Sequence, residues 1–183
     1  HEWLVARDEE RFSIFDKHDC LEAVAPATAA DLLAAYHRGE PVNIVPWLEV
    51  CTIKPTGRKK VRWCLNGARD LEKDVCVASS PALSRESLRL VVWFICIMRW
   101  PLKSGDVPTA FLRQGPTLWT RIVYCWSPPE MLPKRLWRLK KAVYGLADSP
   151  LQWYKTLRQF LQRRGLVAAS WDQSVFLLMG DDK

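Results

Sequence analysis

Residues 140–154 read KKAVYGLADSPLQWY, and the stretch changes character twice within fifteen residues. Lys140 and Lys141 close a basic, β-prone segment that starts at Arg135. Tyr144-Gly145-Leu146 then reads as a bend, because glycine reaches backbone conformations closed to other residues. Ser149-Pro150 reads as the cap and first residue of a helix, since proline lacks the N–H that would go unpaired there anyway. Beyond it, Leu151, Trp153, Tyr154, Leu157, Phe160 and Leu161 form an apolar stripe with Lys155, Arg158 and Arg163 off it, and Gly165 ends the helix. A basic strand turned through a glycine into an amphipathic helix predicts a mixed fold.

The flanking sequence agrees. NIVPWLEVCTIKPTGRKKVRWCLNG (43–67) places two β-prone arms around Pro55-Thr56-Gly57, predicting a hairpin. It carries Lys54, Arg58, Lys59, Lys60 and Arg62, with no acid from Val50 to Arg69. Such an edge either keeps itself soluble or grips phosphates. CVASSPALS (76–84) is a loop whose Ser84 caps a helix over 85–99. That helix is apolar nearly all round from Leu88 to Met98, predicting burial on most sides, and Arg89 within it then needs a partner. RIVYCW (121–126) and SVFLLM (174–179) read as strands, with a Pro-rich turn at 128–133. Near the start, TAADLLAAYHRG (28–39) predicts a short helix with Thr28 as N-cap, Asp31 at N3 and Gly39 at its end. The expected organisation is α+β: an acidic leader (1–42), a basic β-hairpin and loop (43–84), and an antiparallel sheet in 85–183 backed by helices at 85–99 and 149–164.

Composition narrows the function classes. An apolar content of 49% with ten Trp describes a globular chain. The net charge of +7 is unevenly spread, since residues 1–49 hold four Lys/Arg against ten Asp/Glu and residues 50–183 hold 23 against ten. A basic body points first to a polyanionic partner, with nucleic acid the leading candidate. The longest apolar run, LVVWFICIM (90–98), has nine residues, too few to span a membrane. Nothing resembles a signal peptide. Six Cys without C-x-x-C spacing, and only three His, argue against zinc and for reduced, intracellular thiols.

Several motifs occur in order. They are the hairpin K-x-x-x-x-x-K-x-R (54–62), Arg89 eleven positions before Trp100, Asp106-Val107-x-x-Ala110-Phe111-Leu112, Y-G-L-x-x-S-P-x-x-W-Y (144–154) and WDQSVF (171–176). Together, over roughly residues 43–183, they resemble the reverse transcriptase of copia-type retrotransposons. The resemblance implies the fingers hairpin and part of the palm of an RNA-directed DNA polymerase, which joins a primer 3′-hydroxyl to an incoming nucleotide with two Mg²⁺ ions. Magnesium is a hard cation that takes carboxylate, phosphate and water oxygens. Asp106 would supply a carboxylate and Val107 its carbonyl. Lys60 and Arg62 would neutralise the triphosphate, the arginine by a forked contact. Ala110 and Phe111 would line the nucleotide site, with the Phe111 ring beneath the sugar leaving no room for a 2′-hydroxyl. Gly145 would let the chain pass close to nucleotide and template. The implied partners are an RNA template, a DNA primer or RNA–DNA hybrid, deoxynucleotides and the rest of a Pol polyprotein. The implied location is intracellular, in a cytoplasmic virus-like particle or the nucleus. Asp148 departs from the pattern the resemblance implies, in which an amide follows Y-G-L-A, and an extra negative charge beside a triphosphate would be unhelpful.

The closing Gly180-Asp181-Asp182 invites a second reading, since viral RNA-dependent RNA polymerases carry their catalytic pair in such a sequence. Only six positions separate Ser174 from Gly180, room for a single strand, and Gly-Asp-Asp-Lys is good turn composition in its own right. The expectation is a turn, with the family's Tyr-x-Asp-Asp pair lying beyond Lys183 and the strand before it left without its hairpin partner. With Asp106 alone, this chain is expected not to extend a primer. The alternative reading is a non-catalytic nucleic-acid-binding remnant.

Overall fold

The computed structural model describes residues 1–115, 119–128 and 131–178. Helix α1 (Glu2–Arg11) runs into a π-helical segment at Phe12–Lys17, followed by β1 (Leu21–Ala23) and α2 (Pro26–His37). The hairpin β2 (Trp47–Ile53) and β3 (Lys59–Leu65) comes next, then α3 (Arg85–Met98). A 3-10 turn (Ala110–Arg113), β4 (Tyr124–Trp126) and β5 (Leu136–Leu139) lead to α4 (Ser149–Gln162) and a last pair, β6 (Leu166–Ala168) and β7 (Phe176–Leu178).

The hairpin forms as its turn chemistry dictates. Gly57 donates to the Lys54 carbonyl at 2.8 Å, Lys54 donates to the Arg58 carbonyl at 2.9 Å, and Gly57 takes a φ of +80°. A three-residue hairpin loop places a residue in this left-handed region, which glycine enters without a steric penalty. In β3 the side chains alternate, so Val61, Trp63 and Leu65 enter the core while Lys60 and Arg62 face the other way. Helix α1 lies against this strand. Its buried Glu10 accepts the Trp63 backbone N–H at 3.2 Å, and Glu2 and Glu9 pair with Lys59 and Arg58. The core continues through Ile14, Cys20, Val45, Leu112, Val123, Leu139 and Val143, so the leader contributes to it directly. Strand β1 pairs antiparallel with β5 (Leu21↔Leu139), and β4 pairs with the other edge of β5 (Tyr124↔Arg138).

Two glycines permit a close backbone approach. A Cβ on Gly145, whose φ is +96°, would sit 1.9 Å from the Leu65 carbonyl oxygen. One on Gly67 would sit 2.2 Å from the Gly145 oxygen. The bend is thereby stitched to the end of β3, where Leu65 N donates to Tyr144 O at 2.8 Å.

Several expectations are corrected. Among the described residues, the single antiparallel sheet is instead three small ones, β1-β5-β4, β2-β3 and β6-β7. Ser84 does cap α3, its Oγ accepting from Ser87 N at 3.0 Å, yet the helix is not buried. Leu88, Leu90, Trp93, Phe94, Ile97 and Met98 are exposed, and Ser87 is the buried residue of the helix. Apolar composition drives burial only where another element covers the helix. Arg89 is exposed as well and needs no buried partner. Helix α2 begins at Pro26 rather than after Thr28, because proline takes the first-turn position. In α4 Asp148 holds the cap position, and the Ser149 hydroxyl instead donates to the Val143 carbonyl. Strand β7 pairs antiparallel with the preceding strand β6 (Val167↔Leu177), and Leu178 is exposed. The closing Gly180-Asp181-Asp182 lies outside the described residues.

Candidate functional site

The outward face of β3 carries Lys60 and Arg62. The Arg62 guanidinium stands 5.9 Å from the centre of the Tyr144 ring, and that ring lies 5.6 Å from Phe111 in a tilted contact. Three separate motifs, the hairpin, the Tyr-Gly-Leu bend and the Ala110–Arg113 turn, therefore converge on one basic and aromatic surface. Its geometry is held from behind. Leu112 is fully buried, and Lys141 Nζ donates to the carbonyls of His18 (2.7 Å) and Leu112 (3.4 Å). Burial holds the Lys60 ammonium below its ordinary pKa, helped by the positive charges of Arg62 and Lys54 and opposed by Glu10. Burial also pushes the Tyr144 hydroxyl up to about 12. A cation held below its ordinary pKa beside other cations is a site that a polyanion stabilises.

The loop before the turn has its own tether. Thr109, at a φ of +55°, shares a 3.0 Å hydrogen bond with His18 Nε2, and Arg113 Nε donates to the Pro108 carbonyl at 2.8 Å. Asp106 and Val107 precede this tether on an irregular, exposed segment. Among the described residues, Asp106 makes no hydrogen bond or ion pair, and no three of His, Cys, Asp and Glu come together as a metal-ligand set. A pair of hard divalent cations needs several oxygen ligands. The residues described here do not by themselves fit a two-magnesium centre, and Asp181 and Asp182 lie outside them. Gly145 is placed against the Leu65 backbone, so its missing side chain serves the contact between bend and hairpin.

The comparisons with known proteins agree with the convergence of motifs. The family model described as reverse transcriptase (RNA-dependent DNA polymerase) matches residues 45–183. The chain belongs to the reverse transcriptase family. Among similar proteins are the Retrovirus-related Pol polyproteins from transposons RE2 and RE1 of Arabidopsis thaliana. Each is 38% identical over 109 residues, covering 57% of this chain and 7% of the relative. The chain thus spans a small part of the length of these curated relatives. No solved structure matches it.

This reverse transcriptase chain also holds a polar centre that sequence reasoning missed. Arg121, in the segment leading into β4, donates to Asp70, to Glu72 Oε2 (2.7 Å) and to Asp148 Oδ1 (3.0 Å). The Asp70 and Asp148 side chains are 0% and 4% exposed. Asp70 accepts further bonds from Asn43 Nδ2 (2.9 Å) and Glu72 N (3.0 Å). Burial alone would raise the Asp70 carboxyl, but Arg121, Asn43 and the Glu72 N–H together hold it below its ordinary value. Asp148, whose charge the sequence left unexplained, is thus matched by an arginine. It ties the start of α4 to the segment that follows the hairpin. The available signals were an arginine heading an apolar strand and an unexplained acid at 148, and neither names its partner without the fold.

Proposed function

We propose that this chain is the fingers hairpin and part of the palm of a copia-type RNA-directed DNA polymerase, and that its own residues receive the deoxynucleotide and the template–primer. The observation that carries the proposal is the union of Lys60, Arg62, Tyr144 and Phe111 on one surface. Lys60 meets the triphosphate as a point charge and Arg62 as a planar fork. Phe111 stacks under the sugar and excludes a 2′-hydroxyl. In the intact polyprotein, Asp106 and the Val107 carbonyl would need further carboxylates to hold magnesium, which would supply charge neutralisation at a phosphate. The 183-residue chain binds these ligands without extending a primer.

The test is fluorescence titration of the chain with a labelled deoxynucleoside triphosphate, alongside primer extension on an RNA template. Arg62→Ala is expected to weaken triphosphate binding about tenfold, the loss of one charge-assisted pair. Phe111→Ala is expected to narrow the gap between deoxy- and ribonucleotide affinities. Unchanged triphosphate affinity in Lys60→Ala and Arg62→Ala would remove the nucleotide role from this surface. Magnesium-dependent incorporation that vanishes in Asp106→Ala would overturn the statement that the chain alone is inactive.

A further inference from the structure

A second surface lies apart from the Lys60–Phe111 site and shares no lining residue with it. An open groove of about 1030 Å³ runs between the C-terminal half of α2, the turn that follows it and the segment after β3, with Trp126 in its lining. Two aromatic rings in its walls are available to a ligand, since Tyr36 is 51% and Trp126 38% exposed. The charge in the groove is not balanced. Of its acids, Glu40 is engaged by Arg38 at 2.7 Å, and Asp70 is buried against Arg121 and Asn43. Of its cations, neither Arg69 nor Lys73 is ion-paired with a carboxylate among the described residues, and Lys73 Nζ donates only to the Ala68 carbonyl at 3.2 Å.

We infer that this groove carries a single-stranded stretch of nucleic acid, with bases stacked on Tyr36 and Trp126 and phosphates drawn to Arg69 and Lys73. Exposed aromatic faces beside unpaired cations are how unstacked strands are held without sequence preference. A duplex, whose bases are already stacked, cannot use those faces. The inference rests on the proposed polymerase reading, in which the strand is template not yet paired, and it adds the leader helix to the binding surface.

The experiment measures anisotropy of the full 183-residue chain with a short labelled RNA, a matched RNA–DNA hybrid and an abasic strand, over a salt series. Tyr36→Ala and Trp126→Ala are each expected to weaken single-strand binding at least fivefold, while Tyr36→Phe keeps it. Arg69→Gln with Lys73→Gln is expected to flatten the slope of log K against log salt by about 1.4, two contacts at about 0.7 each. Circular dichroism confirms that each variant is folded. Because Tyr36 stands on an exposed helix face, its variants remain informative if Trp126→Ala unfolds. Unchanged single-strand affinity in folded Tyr36→Ala and in the double Gln variant overturns the inference. Equal binding of the abasic strand, or competition by an acidic peptide as effective as RNA, overturns it too. The two proposals fail separately: Lys60→Ala and Arg62→Ala report on the nucleotide site, and the groove variants report on the strand.

Discussion

Replacing Arg121 by Met keeps most of the side-chain volume and removes the charge at the centre of the Asp70–Glu72–Asp148 cluster. Two of those carboxylates are almost wholly buried, and both would lose their counter-charge. Breaking a buried ion pair from one side costs about 3–5 kcal/mol, because the remaining charge stays desolvated and unpaired. Glu72 is 42% exposed and is re-solvated easily, so its share is within about 1 kcal/mol. Asp148→Asn keeps an oxygen for Arg121 and forfeits only the charge assistance, about 1–2 kcal/mol. The expected order of destabilisation in equilibrium urea unfolding is Arg121→Met, then Asp148→Asn, then Glu72→Gln. The Asp70 pKa adds a pH signature. Its folded value lies below the ordinary 3.8, so the stabilisation is present above 3.8 and is lost as pH falls through the folded value. Arg121→Met, which removes the main counter-charge, should weaken that acid dependence. Arg121→Met within about 1 kcal/mol of the parent would refute the reasoning, because it requires the carboxylates to be solvated. Asp148→Asn as costly as Arg121→Met would refute it too, because it puts the whole coupling on Asp148 and none on Asp70.

Three further outcomes follow from individual contacts. Burial raises the pKa of Glu10 above 4.5, so its carboxyl favours folding below that value and opposes it as pH rises through the folded pKa. Glu10→Gln, which keeps an acceptor for Trp63 N, should match or exceed the parent in urea midpoint at neutral pH, whereas Glu10→Ala orphans that N–H and loses about 1–3 kcal/mol. His18 lies below 6.5 because of burial and the nearby charges of Arg113, Lys17 and Lys141, so its contribution is present above 6.5 and lost as pH falls through the folded value. Thermal melts of His18→Gln should therefore show a flatter response than the parent between neutral and mildly acid pH. Gly145→Ala meets both a left-handed φ and a backbone oxygen at 1.9 Å, and should lose more than about 2 kcal/mol in the same melts, while Ala147→Gly nearby should not.

The parts of the fold that were legible in the sequence rest on short-range chemistry. Gly57 in the hairpin loop, Ser84 at the start of α3 and Gly165 at the end of α4 act on residues a few positions away, so their neighbours are enough to read them. The hairpin's basic run, Lys54 to Arg62, was legible too, while the structure showed that Lys60 and Arg62 face away from the buried Val61, Trp63 and Leu65. The family itself was legible, because its motifs are ordered along the chain, and the family match covers residues 45–183. The helical leader was read only in part. Helix α1 holds six charged residues among ten, and its role depends on β3, some fifty positions away, which supplies Lys59, Arg58 and the Trp63 N–H.

What the sequence by itself determined is the alphabet of local elements, the basic face of the hairpin and membership of the reverse transcriptase family. Tertiary structure decided which of those elements are covered and which charges meet. Helix α3 has the composition of a buried helix and is exposed, because burial belongs to a pair of surfaces and not to one helix. Asp148 looked misplaced beside a phosphate site and is answered by Arg121, 27 positions upstream, together with Asp70 and Glu72. A buried charge is tolerable only where its partner is brought within hydrogen-bonding distance, and that distance is set by the folded chain, not by separation along the sequence.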